Sequence, residues 1–346
     1  MKTPKICCLL TAIALAQSSL LGVSTDPVGF VSISVPANSD AILAVPLNRA
    51  AEFKGVIQSI SGNVITVTGT PAWTANAFAP GVTANKTYAV QIAGGAKEGL
   101  IGRITGNGVD TITVSLDSGD DLTNIGTVAI PLDPDGAGPL TAQADQIDIK
   151  PYWTPGSLLG TNLPAATEFL GFENSGTGVN KAASEIYGAT GSSWENGETG
   201  DDATHSPIKF GKSFILRNNS ASPISLSMVG SVPMTAAVIR LSTLGNNTDQ
   251  DQRIGFMSPV PESIINLNIP AQAGDIIFGF DNSASGKNKS ASIVYAFDGT
   301  NWVNDETGDP LSINDKLQPG FGYMFRKFRT ATPQTVVWRK LPSYLQ

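Results

Sequence analysis

The chain has 346 residues, 36 of them glycine and 22 proline, and only 15% are charged, against roughly 25% in average soluble domains. With 29 acidic and 22 basic residues and no Lys/Arg cluster, nucleic acid and anionic lipid are poor candidates as partners. Long helical runs of Glu, Lys, Leu and Ala are missing, which favours an all-β protein with many turns.

The first 24 residues have the pattern of a secretory signal peptide. Lys2 and Lys5 precede the apolar run ICCLLTAIALA, which ends in the small residues that a signal peptidase recognises. The run is shorter than the roughly 20 apolar residues needed to span a bilayer. Both cysteines lie in it, so the exported chain would have no disulfide and, with 20 basic and 29 acidic residues, a net charge of about −9. We expect a periplasmic, cell-surface or extracellular protein with no transmembrane segment.

Residues 25–150 predict an N-terminal β module with a small-barrel or Greek-key-like arrangement. Alternating apolar residues at 28–35 predict its first strand. Segments 55–68 and 99–115 share the pattern G-[VL]-I, I-[ST]-G-N and I-T-V, so each predicts a hairpin, and 88–93 predicts a strand between them. Two related hairpins in one module favour a barrel.

The C-terminal region, 151–346, contains one sequence twice. Residues 171–201 and 279–309 align without a gap at an offset of 108, and 17 of the 31 positions are identical. Similarity continues with small shifts, so the repeats run over about 167–233 and 275–342. We therefore expect two copies of a β-sandwich-like unit. Since an enzyme seldom needs two equal active sites, the shared residues are expected to maintain the fold.

Few catalytic arrangements are open to this chain, and no catalytic residue is predicted. Beyond the signal peptide it has no cysteine and one histidine, His205, which is not repeated in the second copy. This excludes thiolate metal sites and Cys/His nucleophiles and disfavours a Ser-His-acid triad. A glycosidase needs only two carboxylates, so Glu173, Glu198, Asp281 and Glu306 remain candidates. Acids in turns rich in Asn, Ser and Gly, however, commonly cap backbone amides.

Two turns carry enough oxygen atoms to be candidate calcium sites. Their candidate ligands are Asp133 and Asp135 in one turn and Asp281 and Asn282 in the other. Neither turn matches the EF-hand loop, and an Asx turn explains the same residues without a metal. No other cofactor is predicted.

Two aromatic pairs recur in the repeats. Tyr187 and Trp194 in the first copy correspond to Tyr295 and Trp302 in the second, each pair spanning a Gly-containing turn. Such rings could form a platform that stacks on sugars. Alternatively they pack between strands as the core of each unit, which their duplication favours. Burial of the two tryptophans distinguishes these interpretations.

Several motifs occur together along the chain. They are T-D-P-V-G-F at 25–30, T-Y-A-V-Q-I-A-G-G…E-G at 87–99, P-Y-W-T at 151–154, F-D-N-S-x-S-G-x-N-K-S-A-S at 280–292 with its following Trp, and L-x-P-G-x-G-Y at 317–323. As a set they resemble an uncharacterised family of exported, β-rich bacterial proteins of verrucomicrobial type, over nearly the whole exported chain. The resemblance implies export and a β-rich organisation, and it implies no catalytic residue.

Three functions follow as hypotheses. The first is a non-enzymatic structural or adhesive protein of the cell surface or extracellular space, able to associate with itself or with other surface proteins. The second is a carbohydrate-binding protein that holds polysaccharide with the repeated Tyr/Trp pairs. The third, with the least support, is a carboxylate-based glycoside hydrolase.

Overall fold

The computed structural model describes residues 26–83, 85–132, 142–174 and 178–346. The predicted signal peptide and the candidate calcium ligands Asp133 and Asp135 lie outside the described residues. The structure is 41% strand and 4% helix, which confirms the all-β prediction.

The first two strands belong to the C-terminal half of the molecule. They are β1 (Val28–Val35) and β2 (Ser39–Ala44), joined by a turn in which Asn38 has a φ of 50°. Strand β1 pairs with Ile224–Ser231 and β2 with Ser213–Asn218, both antiparallel. The N-terminal module predicted for 25–150 therefore starts too early, because its first two strands complete the sheets of the first repeat.

The next six strands form a closed antiparallel barrel. They are β3 (Phe53–Ser61), β4 (Val64–Val67), β5 (Tyr88–Ile92), β6 (Ile101–Asn107), β7 (Thr111–Ser115) and β8 (Gln146–Pro151). Their order is β3-β4-β7-β6-β5-β8, and pairing of β8 with β3 closes the barrel. The two predicted hairpins are β3-β4 and β6-β7, and they pair side by side through β4 and β7. Inward-facing isoleucines on alternate positions fill the interior: Ile57, Ile65, Ile104, Ile112, Ile147 and Ile149.

The first repeat, here called unit 1, combines β1 and β2 with five later strands. After the short helix α1 (Pro155–Leu159) come β9 (Glu168–Gly171), β10 (Glu185–Ala189), β11 (Trp194–Asn196), β12 (Ser213–Asn218) and β13 (Ile224–Ser231). Five strands form a sheet of order β11-β10-β9-β12-β2, and β1 and β13 form a two-stranded ribbon. Sheet and ribbon share one core, in which Phe169 and Phe214 of the sheet cluster with Leu226 and Met228 of the ribbon.

The second repeat, unit 2, has the same arrangement. Its strands are β14 (Ala237–Leu244), β15 (Gln250–Ile254), β16 (Glu262–Ser263), β17 (Ile276–Gly279), β18 (Ile293–Phe297), β19 (Trp302–Asn304), β20 (Lys316–Leu317), β21 (Tyr323–Lys327) and β22 (Pro333–Lys340), with 3₁₀ turns at Ile264–Asn266 and Ser343–Leu345. The sheet order is β19-β18-β17-β21-β15, the ribbon is β14-β22, and β16 pairs with β20. The sheet and the ribbon each match unit 1 strand for strand. Each repeat is therefore larger than the sequence similarity indicated, since it includes the strands β1 and β2 or β14 and β15.

The barrel is consequently an insertion in the connection between β2 and β9 of unit 1. Its first and last strands, β3 and β8, are paired, so the chain enters and leaves the barrel at neighbouring positions. An insertion of this kind leaves the sheets of unit 1 undisturbed.

Candidate functional site

The repeated acids and arginines of the two units form equivalent ion pairs at the junction between them. Asp40 on β2 accepts two hydrogen bonds from Arg217, at 2.8 and 3.1 Å, and one from the Asn288 backbone N–H of unit 2 at 2.8 Å. Asp251 on β15 accepts two from Arg326, at 2.7 and 3.0 Å, and one from the N–H of Asn180 in unit 1 at 2.7 Å. The loop after β9 thus binds unit 2, and the loop after β17 binds unit 1.

The asparagines of the same two loops also form hydrogen bonds to the opposite unit. Asn282 of unit 2 accepts a hydrogen bond from the Ile42 N–H at 2.8 Å and donates one to the Ile42 carbonyl at 2.9 Å. Asn174 of unit 1 makes the same two bonds to the backbone of Arg253, at 3.1 and 3.3 Å. Each asparagine amide therefore satisfies the free edge of a strand in the other unit. We call the described residues 172–174 and 178–184 of unit 1, and the loop 280–292 of unit 2, the clasp loops.

One buried cation lies between the clasp loops. The Arg253 guanidinium is 4.6 Å from the ring centre of Phe172 and 5.7 Å from that of Phe280, the equivalent residues of the two loops. Burial lowers the pKa of Arg253. The corresponding residue on β2 is Ile42, so this cation–π contact occurs once and breaks the symmetry of the junction.

The four repeated aromatic rings belong to the cores of the units. Trp194 is 0% exposed and Trp302 is 6% exposed, while Tyr295 is buried and Tyr187 packs half-buried against the core. The Trp194 indole N–H donates to the carbonyl of Gly160 at 2.8 Å, and burial raises the pKa of Tyr295 to about 12. Burial of both tryptophans supports the interpretation that the repeated rings pack in the cores of the units, and Tyr187 keeps part of its surface exposed.

The described pair of candidate calcium ligands is occupied by bonds within the protein. The Asp281 carboxylate accepts the Ser283 N–H at 2.8 Å and the Ser283 hydroxyl at 2.6 Å, which lower the pKa of Asp281. The Asn282 amide is committed to the backbone of Ile42. This is the Asx-turn arrangement. Within the described part of the chain, no three His, Cys, Asp or Glu side chains are close enough to share a metal ion.

The candidate carboxylates of a hydrolase are divided between separate turns. Glu198 and Glu306 are exposed in equivalent turns of the two units, where their N–H groups donate to Asn196 and Asn304 at 2.8 and 2.9 Å. Glu173 forms an ion pair with Lys209. His205 is half-buried, and no hydrogen bond joins it to a serine in the described residues.

The clearest difference between the units is the outward face of each ribbon. In unit 1 the outward residues form an uncharged surface: Val28, Phe30, Ser32, Ser34, Ser225, Ser227 and Val229. Phe30 is 72% and Val229 53% exposed, and the two are direct cross-strand partners. We call this surface the open face. Such exposed apolar neighbours were missed by the sequence analysis, because alternation predicts which residues share a face but not whether another element covers it.

The barrel covers part of the equivalent face in unit 2. Glu98 accepts the N–H of Ala236 at 2.9 Å, and the Arg339 guanidinium donates to the Ala96 carbonyl. At Gly99, which has a φ of 83°, a Cβ atom would lie 2.2 Å from the carbonyl oxygen of Ala236. The glycine thus lets the barrel approach the ribbon closely. Unit 1 has no such cover over its open face in the described residues.

Comparisons of the chain with protein-family models, with curated proteins and with solved structures found no match. Among the described residues, none of the helices combines the length and the apolar character needed to cross a membrane.

Proposed function

We propose that this chain is an exported, non-enzymatic structural or adhesive protein that associates with further copies of itself through the open face. The observation that supports this most is the contrast between the two ribbons. The β14-β22 ribbon contacts the barrel, whereas the β1-β13 ribbon exposes Phe30 and Val229. Exposed apolar neighbours of this kind commonly mark contact surfaces.

Charge favours a second copy as the occupant of the open face. Seven outward side chains of the ribbon carry no charge, although the chain has a net charge of −7. Two acidic copies repel each other over most of their surfaces, and an uncharged face is where that repulsion is weakest. Facing ribbons related by a two-fold axis would bring Phe30 and Val229 of each copy together.

The size of the open face indicates a weak contact. Eight residues at about 3.4 Å each give a ribbon roughly 27 Å long, and two strands give a width of about 10 Å. The face therefore has an area of about 270 Å², well below the roughly 800 Å² that each partner of a stable dimer buries. A contact of that size becomes effective where many copies are held close together, as on a surface.

Sedimentation velocity of the exported chain over a wide concentration range tests this proposal. We expect reversible association at high concentration, abolished by the double substitution Phe30→Ser and Val229→Ser. The control is Ile130→Ser, which removes an equally exposed apolar side chain from the barrel. A native chain that stays monomeric throughout, or a double variant that associates as the native chain does, would contradict the proposal.

A further inference from the structure

A cleft lies where the barrel, unit 1 and unit 2 meet. It consists of two adjoining cavities of about 260 and 390 Å³ that share six lining residues, Lys212 and Val238 among them. The barrel contributes Ile101 and Leu116, and the β14-β22 ribbon contributes Val238. The segment 207–212 of unit 1 forms the third wall. The combined size falls within the range of small-molecule sites, about 300–1,000 Å³.

The cleft is positively charged in a negatively charged protein. The smaller cavity is lined by four cationic side chains, Arg103, Lys209, Lys212 and Arg240, and by one carboxylate, Asp117. Two of these cations are already neutralised. Arg240 pairs with Asp117 at 3.3 Å and also with Asp120, and Lys209 pairs with Glu173. Lys212 and the exposed Arg103 have no hydrogen-bond or ion-pair partner in the part of the chain that is described.

Lys212 departs from the pattern shared by the units. Gly211 and Gly320 are equivalent, since the N–H of Gly255 binds the first and that of Ala44 binds the second, at 3.0 and 2.9 Å. The residue after Gly320 is Phe321, which packs against both cores. The residue after Gly211 is Lys212, half-buried at the junction of the two cavities. The fold accepts an apolar side chain here, so the architecture does not require a lysine.

The Lys212 ammonium is partly withdrawn from water at the wall shared by the two cavities, where an anion could reach it. Burial lowers the pKa of Lys212, opposed by the more distant charges of Glu173 and Asp117 and reinforced by those of Lys209 and Lys181. Lys212 is half-buried and lines both cavities, so its ammonium is only partly hydrated, and an anion bound beside it restores the lost solvation. Lys212 is therefore the side chain most in need of a partner in this cleft.

We propose that the cleft binds the carboxylate of a small organic acid, with Lys212 as its main charge partner, Arg103 at the cleft mouth and the ligand body against Ile101, Leu116 and Val238. A singly charged group fits best. Asp117 and Glu173 line the same cleft and would repel a doubly charged phosphate. The apolar wall suits a compact ring more than a free inorganic anion. This inference does not depend on the open face or on self-association.

The titration of Lys212 tests the proposal directly. We would label the lysine side chains with ¹³C and follow the Lys212 ε-carbon by NMR, with benzoate and glucuronate as probes and benzamide as the uncharged analogue. Binding of either acid is expected to raise the pKa of Lys212 towards its ordinary value, and benzamide is expected to leave it unchanged. A stronger response to glucuronate indicates a sugar acid as the natural ligand, and a stronger response to benzoate indicates an aromatic or aliphatic one.

Matched variants complete the experiment. Lys212→Met is expected to weaken binding of the more effective acid at least about tenfold, because one charge-assisted hydrogen bond is lost. Lys287→Met, at an exposed lysine of the second clasp loop, should leave the affinity unchanged. The proposal is overturned if neither acid shifts the Lys212 resonance at millimolar concentration, if benzamide binds as well as benzoate, or if Lys212→Met binds as tightly as the native chain.

Discussion

Units 1 and 2 have the same five-stranded sheet, the same ribbon and the same ion pair, yet they differ at two places that bear on function. One is the outward face of the ribbon, open in unit 1 and contacted by the barrel in unit 2. The other is the residue after the glycine that precedes β12 or β21, Lys212 in one unit and Phe321 in the other. The repeated asparagines and tryptophans contact the opposite unit or a core, whereas Phe30 and Lys212, which differ between the units, lie on the open face and in the cleft. A duplicated protein thus carries an internal control that separates structural residues from candidates for function.

The largest expected effect tests the equivalence of the two ion pairs. Asp40→Ala and Asp251→Ala each remove a buried carboxylate that accepts two hydrogen bonds from an arginine and one from the backbone of a clasp loop. We expect both variants to lose roughly 3 kcal/mol of unfolding free energy, since each loses two charge-assisted hydrogen bonds and leaves a clasp-loop N–H without its acceptor. Denaturant unfolding measures this. Lys54→Met, which removes a half-exposed surface ion pair, should change stability by less than about 1 kcal/mol. A stable Asp251→Ala beside an unstable Asp40→Ala would show that the units are not equivalent.

The asparagines of the clasp loops, Asn174 and Asn282, provide a second test of whether the two units are equivalent. Asn174→Ala and Asn282→Ala each remove two hydrogen bonds to a strand of the other unit. A loss of about 2 kcal/mol is expected for each, because buried backbone groups remain without partners. Thermal unfolding provides the readout, and Asn314→Ala, at an exposed side chain, serves as the control. If the clasp loops do not contact the opposite unit in solution, both variants will unfold at the same temperature as this control.

A smaller effect is expected at the contact between barrel and unit 2. Gly99→Ala would place its Cβ against the Ala236 carbonyl, whereas Gly119 has a similar φ of 88° and nothing within 4 Å. Both alanines carry the cost of a left-handed backbone, so their difference isolates the contact. We expect Gly99→Ala to be less stable than Gly119→Ala by about 1–2 kcal/mol. Equal stabilities would mean that the barrel is not docked as described.

The smallest effect concerns the pH dependence caused by Lys212. Because its pKa is lowered in the folded protein, the unfolded chain binds more protons at that side chain, and stability rises with pH up to the ordinary lysine value of 10.5. Lys212→Met should therefore be slightly more stable than the native chain at neutral pH and show a flatter rise with pH. Urea unfolding of both proteins at several pH values measures how the free energy of unfolding depends on pH. A steeper rise in the variant would show that the lysine is not the group responsible.

Local patterns were sufficient to predict the first strand, the strand at 88–93, the two hairpins and a barrel-like module that contains them. Alternation places Ile57, Ile65, Ile104 and Ile112 on one face, and hairpins with one repeated pattern pair side by side. The equivalence of β2 and β15 could not be predicted, because the edge strands of the two units share few residue types and the barrel separates β2 from its sheet. Structure alone relates Asp40 to Asp251.

The roles of the repeated polar residues were beyond sequence reasoning for another reason. Asn282 and Asp281 have the composition of a calcium loop and of an Asx turn alike, and only the position of Ile42 decides between them. The open face and the cleft depend on how the barrel, unit 1 and unit 2 are placed relative to each other. A cleft lysine such as Lys212 has no local signal, although its mismatch with Phe321 was visible in the aligned repeats.

Placing the barrel inside unit 1 has a consequence for the order of folding. Val28 pairs with Ser231, so β1 cannot pair until about two thirds of the chain has been synthesised. All six strands of the barrel, in contrast, have been synthesised once the chain reaches residue 151. Contacts so distant in sequence form slowly. The barrel should become resistant to protease first, unit 2 should assemble from contiguous strands, and unit 1 should close last around a domain that has already folded.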